Sequence, residues 1–454
     1  MSNPETKPAR PQRGDELELS IDSLAFGGAG VARTNGYVVF VSGAVPGDRV
    51  RAVIGKRKRA YAEARATQIL EPSPDRVAPV ADHPGAPWQV LPYERQLQVK
   101  QEQVGDALRR IGKLDGYELE DIVPAVSPWR YRNKLEYSFG TDPESGALVC
   151  GFHAPGRWDE IVPMTDCRLA SEAANQAREQ IVGWCRREGL TAYDRRSGEG
   201  FLRNLVVREG RRTGAIQVRL VTAPGKLDRD SLVAAADGLD GVLWTRQQSA
   251  GETTLGGETE VLSGTGRFDE ILGGMHFSIS AEAFFQTNTE MAEQLYELAI
   301  DYAAPRGFER VYDLYCGIGT IALSIAPRVA EVWGLELVED AIADAIAGAR
   351  VNEIDNVHFY AGDVRLALRE LTERAGRPDI LIVDPPRAGL SQKVVRRIIE
   401  TAPAKIVYVS CNPTTLAPNA AQLAEAGYQL RRVRPVDMFP QTPHIECVAE
   451  LVRA

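Results

Sequence analysis

Between residues 310 and 451, short apolar β-runs alternate with helical periodicities, and few folds accommodate that alternation. Strand-like runs recur at 310–315, 331–335, 357–360, 380–383, 405–410, 428–436 and 446–451. Helical patterns separate all but the last pair. Strands alternating in this way specify a doubly wound, mostly parallel sheet with helices on both faces. The last connection, 437–445, is too short for a helical crossover, so the final strand is expected to run antiparallel.

In such sheets ligands bind beyond the carboxyl ends of the strands. Four signals fall there, in order. Asp313-Leu314-Tyr315-Cys316-Gly317-Ile318-Gly319-Thr320 carries a strand into a Gly-x-Gly turn and then a helix, where Gly317 and Gly319 allow the backbone to approach a nucleoside closely. Glu336 ends the next strand about twenty residues on, where an acid binds ribose hydroxyls. Ala361-Gly362-Asp363 follows the third strand, placed to meet an adenine edge. Asp384-Pro385-Pro386-Arg387 follows the fourth, with two prolines fixing the backbone and Asp384 facing the cleft. Each alone could be an ordinary polar turn; all four, in order at successive strand ends, resemble the class I S-adenosylmethionine methyltransferases. The lack of phosphate contacts and the single Gly-x-Gly disfavour a nicotinamide enzyme.

The fifth strand, 405–410, delivers Cys411, and Pro413 suits the first position of a following helix. A lone cysteine is ordinarily a small buried hydrophobe. One at a strand end, partly exposed and close to a helix start, is expected to favour thiolate over the usual thiol of pKa about 8.5. Most methyl transfers need no cysteine. One is needed when the acceptor carbon is electron-poor, as ring carbon 5 of uracil is: a thiolate adding at carbon 6 makes carbon 5 enolate-like. A base must then remove the carbon 5 proton. Glu446, at the start of the last strand beside the Cys411 strand, fits that role, and His444 is read as a hydrogen-bonding neighbour.

The remaining chain divides into further units. Residues 1–12 are polar and read as a disordered tail. Residues 13–71 hold five short strands with Gly-rich turns, suggesting a small closed OB-like barrel. Its 55–61 turn sets Lys56, Arg57, Lys58 and Arg59 beside Tyr61, a surface suited to an RNA backbone and a stacked base. Residues 72–280 combine a Pro-rich linker, an amphipathic helix over 93–111 with Gly112 as C-cap, and an α+β domain. In that domain strands are expected at 134–139, 148–152, 205–207, 215–220 and 241–247, and helices at 172–187 and 227–237. Its Arg130-Tyr131-Arg132-Asn133-Lys134 and Phe201-Leu202-Arg203-Asn204 segments could face RNA. Residues 281–454 form the methyltransferase-like unit, opening on a helix over 284–303.

The net charge is −9, so nucleic-acid binding would rest on local basic clusters. No apolar run is long enough to span a membrane, and the N-terminus does not read as a signal peptide. Six scattered cysteines without CxxC spacing suit a reducing cytoplasm, and five scattered histidines give no metal-ligand pattern. Nothing in the sequence calls for a membrane or an obligate protein partner.

The combination Phe284-Phe285-Gln286-x-Asn288, DLYCGIGT, DPPR, SCNP and His-x-Glu resembles the RNA 5-methyluridine methyltransferases, a class I S-adenosylmethionine-dependent family. The resemblance covers essentially the whole chain, since residues 13–70 resemble the TRAM barrel of ribosomal-RNA members. It implies Cys411 as nucleophile and Glu446 as proton acceptor. It implies S-adenosylmethionine held by Gln286, Tyr315, Glu336, Asp363 and Asp384, with Gly317, Gly319 and Thr320 in the first turn; members often carry Asn where Thr320 stands. Many members also bind an iron–sulfur cluster through three cysteines ahead of a Trp-Gln…Tyr-Glu pattern and a fourth in the central domain. Here Trp88-Gln89 and Tyr93-Glu94 follow Asp82-His83-Pro84-Gly85-Ala86-Pro87, which has no cysteine, and only Cys167 remains. No iron–sulfur cluster is expected.

The expected activity is methylation of a uridine in structured RNA, 23S ribosomal RNA by the TRAM-like barrel, with transfer RNA as runner-up. A DNA cytosine methyltransferase fits less well, because its nucleophile follows the fourth strand, where this chain has Asp384-Pro385-Pro386. A rival of another class is a non-catalytic RNA-binding or assembly factor; intact Cys411 and Glu446 weigh against it.

Overall fold

The computed structural model describes residues 10–249, 251 and 253–454. Residues 1–9 of the expected tail lie outside the described residues, and 10–12 carry no regular secondary structure.

The C-terminal sheet is doubly wound. Its order is Val357–Ala361, Glu331–Glu336, Arg310–Leu314, Ile380–Val383, Lys405–Ser410, Glu446–Arg453, Tyr428–Val436, with the two-residue Glu118–Leu119 strand at the far edge. The first five strands run parallel. Glu446–Arg453 inserts antiparallel between Lys405–Ser410 and Tyr428–Val436, as the short connection requires. Both sheet faces are covered, so the inner strands are apolar along their whole length. Val407 and Val409 pack in one core with Leu295 and Ala299, while Ile406 and Tyr408 pack in the other with Leu368, Val395 and Leu416. The helix expected from 284 begins only at Thr289, because Asn288 is its N-cap and accepts from Met291 N–H. Phe284–Thr287 therefore remains a loop free to meet a ligand.

The central sheet runs Ile161–Pro163, Leu148–His153, Lys134–Thr141, Leu202–Glu209, Ile216–Thr222, Gly241–Arg246, Glu258–Ser263. The Glu172–Arg187 helix packs on one face through Ile181 and Trp184. An Arg267–Leu272/Met275–Ser280 hairpin, not foreseen from sequence, leads into the methyltransferase unit.

The N-terminal sheet has six strands rather than five, the additional one being Ser23–Leu24. Its edge strands, Glu16–Ser20 and Ser23–Leu24, are neighbours in the chain, so the sheet curls back around Leu19, Val39, Val41, Val50 and Ile54. The linker helix is α-helical over Tyr93–Asp106 and ends in a wider π turn, Ala107–Ile111. Gly112 follows in right-handed conformation, not as the left-handed cap expected, and Leu108 packs with Leu416 and Ala417. Trp88, Leu91 and Val99 join barrel residues Leu24 and Val45 in a small separate core.

Candidate active site

Cys411 follows Ser410, whose antiparallel partner is Cys447, and the same register sets Cys411 opposite Glu446. Glu446 also pairs with Val436 on its other side, which buries its carboxyl between two strands. Asn412 fixes the turn. Its Oδ1 caps the Pro413–Glu425 helix by accepting from Thr414 N–H at 3.0 Å, and its Nδ2 donates to the Arg387 carbonyl at 3.0 Å. One side chain thus ties the cysteine loop to the Asp384–Arg387 loop of the neighbouring strand.

The electrostatics differ from the sequence expectation. Instead of favouring thiolate, the site pushes the Cys411 thiol up to about 11, first by burial and then through Glu446 and Asp384, with Arg387 opposing. The helix start does not outweigh removal from water beside two carboxyls. Glu446 is held well above the carboxylate range by burial and then by Asp384. Burial raises Asp384 to about 7. Arg387 Nη2 lies 2.9 Å from His444 Nδ1. Burial, then Arg387, holds His444 down at about 4, so the imidazole is neutral and accepts from the guanidinium. Sequence reasoning did not single out Arg387 or His444 as site residues; the signal available was their place inside the DPPR and His-x-Glu motifs.

The cofactor candidates line the ends of the first four strands. Tyr315 has φ +63°, a left-handed conformation costly for a non-glycine residue and concentrated at functional turns. A Cβ on Gly319 would lie 2.8 Å from the Phe359 ring, so only glycine lets the turn sit there. Thr320 begins the next helix and is buried. Gln286 is buried, its carbonyl held by Asn133 Nδ2 at 2.8 Å. Glu336 accepts from Gly317 N–H at 3.1 Å and from Leu337 and Val338 N–H groups, which joins the first and second strand ends. Asp363 caps the Val364–Ala375 helix and pairs with Arg365. Sequence reasoning missed Asp313. Its two carboxyl oxygens are buried without a hydrogen bond of normal geometry; the Ala322 N–H only partly offsets the burial that drives its pKa well above the carboxylate range. An orphaned buried acid in a cleft is what a cationic or hydroxyl-bearing ligand would satisfy.

The 437–445 loop, which carries His444 to the site, is gripped from all sides. Lys100 Nζ meets Asp437 at 2.5 Å with both side chains fully buried, and donates to the Phe439 carbonyl at 3.0 Å. Tyr93 donates to Asp437 at 2.7 Å, Gln96 to Gln441 at 2.8 Å and Tyr131 to the Pro440 carbonyl at 3.0 Å. Gly28 of the barrel lies against Pro443, which a Cβ there would meet at 2.9 Å.

Several side chains of the two stretches expected to face RNA have partners within the protein. Tyr131 and Asn133 are buried, Arg130 pairs with Asp166 at 2.9 Å and Lys134 with Glu136 at 2.6 Å. Arg203 and Asn204 are buried too, with Arg203 donating to the Gln247 and Ser249 carbonyls. Their cations hold the domain together, which sequence clustering alone does not reveal. Lys56, Arg57, Lys58 and Arg59 are all exposed; Lys56 lies 3.8 Å from Glu63 and Arg57 bonds Gln12. Cys167 is buried, 3.1 Å from His83 Nε2. His83 is held down to about 4, chiefly by burial and then by Arg132. With a neutral histidine as its neighbour and no cysteine in the 82–87 segment ahead of Trp88, Cys167 does not fit a cubane cluster. Among the described residues, no group of three or more His, Cys, Asp or Glu is arranged to hold a metal ion.

A family model described as tRNA (Uracil-5-)-methyltransferase matches residues 271–454, and a TRAM domain model matches 10–67. An uncharacterized RNA methyltransferase of Halalkalibacterium halodurans is 37% identical, covering 97% of both chains. Another, of Bacteroides thetaiotaomicron, is 38% identical over 94% of this chain and 99% of its own. The solved structure of Pyrococcus abyssi tRNA (uracil-54, C5)-methyltransferase in complex with S-adenosyl-L-homocysteine aligns with a TM-score of 0.79 at 29% identity, covering 96% of this chain and 100% of its own. Fold and relatives together define an RNA methyltransferase. The chain belongs to the tRNA (Uracil-5-)-methyltransferase family and carries a TRAM domain ahead of its catalytic unit.

Proposed function

We propose that this protein methylates ring carbon 5 of a uridine in structured RNA through a transient covalent bond from Cys411. The observation that carries the reading is the register placing Cys411 opposite Glu446, with Asp384 and Arg387 beside them. S-adenosylmethionine supplies the methyl group, and Gln286, Tyr315, Gly317, Gly319, Thr320, Glu336, Asp363, Asp384 and the orphaned Asp313 are the residues to hold it. The Cys411 thiolate adds to carbon 6, and the carbon 5–carbon 6 π electrons move to carbon 5, which takes the methyl. Glu446 then accepts the carbon 5 proton, the double bond re-forms, and the carbon 6–sulfur bond breaks to restore the thiolate. Glu446 lies opposite Cys411, placed to accept that proton in its ionised form, and burial raises the proton affinity of that form. The target must leave its stack to be reached from both faces.

The RNA we favour is 23S ribosomal RNA, on the TRAM domain. Transfer RNA is the second reading, favoured by full-length similarity to a transfer-RNA enzyme. The enzyme acts in the cytoplasm on this reading, in keeping with six unpaired cysteines. Among the described residues no helix is long and apolar enough to cross a membrane. The test is RNA carrying 5-fluorouridine, whose fluorine cannot leave as a cation. Wild type should form a denaturation-stable adduct with the RNA class it modifies, and mapping 5-methyluridine in both RNAs from a deletion strain identifies the site. No adduct with either class would refute the reading.

A further inference from the structure

The central sheet ends in a cleft of about 260 Å³ far along the chain from Cys411. Trp158 stands at its mouth, 49% exposed, with the Arg195 and Arg196 guanidinium carbons 6.0 and 5.0 Å from its ring centre. Arg196 is anchored by Asp159 at 2.7 Å. A second ring, Tyr193, lies 5.0 Å from the Arg203 guanidinium. The pairing of Leu202–Glu209 with Ile216–Thr222 shifts between Leu202 and Asn204, a bulge that turns Arg203 into the cleft wall. Two aromatic rings, each beside a cation, around a pocket with polar walls offer a base a stacking face and its phosphate a counter-charge.

The cleft does not stand alone. Asn204 lines it and also lines a second cleft of about 430 Å³. That second cleft is bordered by Lys134, Thr254, Phe284 and Thr287, which flank Gln286 in the loop before the catalytic helix. The two clefts share Asn204, and the second reaches the loop that carries Gln286. The Trp158 cleft has more polar than apolar wall, and its rings, guanidiniums and amides suit an RNA strand better than an apolar peptide.

We propose that the Trp158–Tyr193 cleft holds an unpaired base of the substrate RNA flanking the target uridine, with the adjoining phosphate at Arg195 and Arg196. This rests on the RNA-methylating reading above. It makes the central domain a second point of recognition, separate from the barrel's basic turn.

The test compares wild type, Trp158→Ala, Trp158→Phe and Arg195→Ala/Arg196→Ala for binding to a single-stranded oligouridine and to transcribed 23S and transfer RNA. Loss of a stacking ring should weaken oligouridine binding about 10- to 100-fold, and Trp158→Phe should restore most of it. The double Arg variant should flatten the salt dependence. Affinity for S-adenosylhomocysteine and thermal unfolding should stay at wild-type values, which separates a missing stacking face from a misfolded chain. Oligouridine affinity of Trp158→Ala within about twofold of wild type, or a loss that Trp158→Phe does not repair, overturns the proposal. Failure of wild type to methylate any RNA would instead sink the functional reading, and Trp158-dependent binding would still be read directly.

Discussion

Cys411 and Glu446 occupy facing positions on antiparallel neighbours, one step beyond the last paired residues, Ser410 and Cys447. Neither position depends on a flexible loop alone: each is the continuation of a buried strand. The separation between these two residues is thus set by sheet geometry, about 5 Å between strands.

That arrangement separates the two roles experimentally. Cys411→Ala should form no adduct and no product while still binding RNA. Glu446→Gln should turn over about 10²–10⁴-fold more slowly and accumulate a denaturation-stable protein–RNA species that already carries the methyl group. Denaturing gels with labelled cofactor read both outcomes; an adduct in Cys411→Ala, or none in Glu446→Gln, would reassign the roles.

The buried Lys100–Asp437 pair should dominate the stability of the active-site loop. Removing one partner leaves an uncompensated buried charge, at a cost of about 3–5 kcal/mol. Lys100→Met should therefore unfold at lower denaturant, and Lys100→Met/Asp437→Leu should cost less than the sum of the single changes. Additive losses in the double-mutant cycle would show that the two side chains do not act as a pair.

Asp384 gives a pH signature. Its folded-state pKa of about 7 lies above the ordinary 3.8. Between those values the folded chain keeps a proton that the unfolded chain has lost, so stability should fall as pH rises from about 4 to 7. One such carboxyl contributes at most about 1.4 kcal/mol per pH unit, less here because Asp384 keeps some solvent contact. Asp384→Asn should flatten the slope and unfold at higher temperature than wild type at pH 8, with little difference at pH 4. Asp313 and Glu446, shifted in the same direction, leave a residual slope. An unchanged slope in Asp384→Asn would place the titration elsewhere.

Anaerobically purified protein should be colourless. Cys167→Ser should leave turnover close to wild type, since the Cys167 side chain is buried against His83 in the central domain, remote from Cys411 in the chain. Stoichiometric iron and sulfide with broad visible absorbance would contradict this.

Alanine at Lys56, Arg57, Lys58 and Arg59 should weaken RNA binding and lower its salt slope while cofactor binding persists. Each phosphate left without its cation changes the slope by about 0.9. With Lys56 near Glu63 and Arg57 bonded to Gln12, Lys58 and Arg59 should account for most of the effect. Equal RNA affinity at low and high salt in wild type would remove the electrostatic role.

The C-terminal sheet was legible in the sequence because its inner strands are mostly apolar and the turns beyond the first, third and fourth strands carry Gly, Asp or Pro. The antiparallel last strand followed from the length of 437–445 alone. The Phe284–Thr287 loop reads as helix in sequence because its apolar residues continue the periodicity of 289–303, and the stop comes from one side chain, Asn288, capping the helix at Thr289. The thiol's raised pKa was hidden for a similar reason. It depends first on burial and then on Glu446 and Asp384, which arrive from strands 35 residues after and 27 before Cys411, a proximity no local pattern encodes. Arg130, Lys134 and Arg203 looked like an RNA face because a cluster of cations reads alike whether it meets phosphate or the protein's own carboxylates and carbonyls.

Gly28 matters to anyone who would cut or recombine this chain. The barrel looks detachable in sequence, yet its loop packs on Pro443, the residue before His444, and on the indole nitrogen of Trp88, whose backbone N–H bonds the Gln441 carbonyl of the same loop. A fragment beginning after the barrel would expose that flank to water. A chimera with a foreign barrel would press a side chain into it unless position 28 stayed glycine. The apparent modularity of the three units ends at this contact, and exchange boundaries belong elsewhere than between the barrel and its linker.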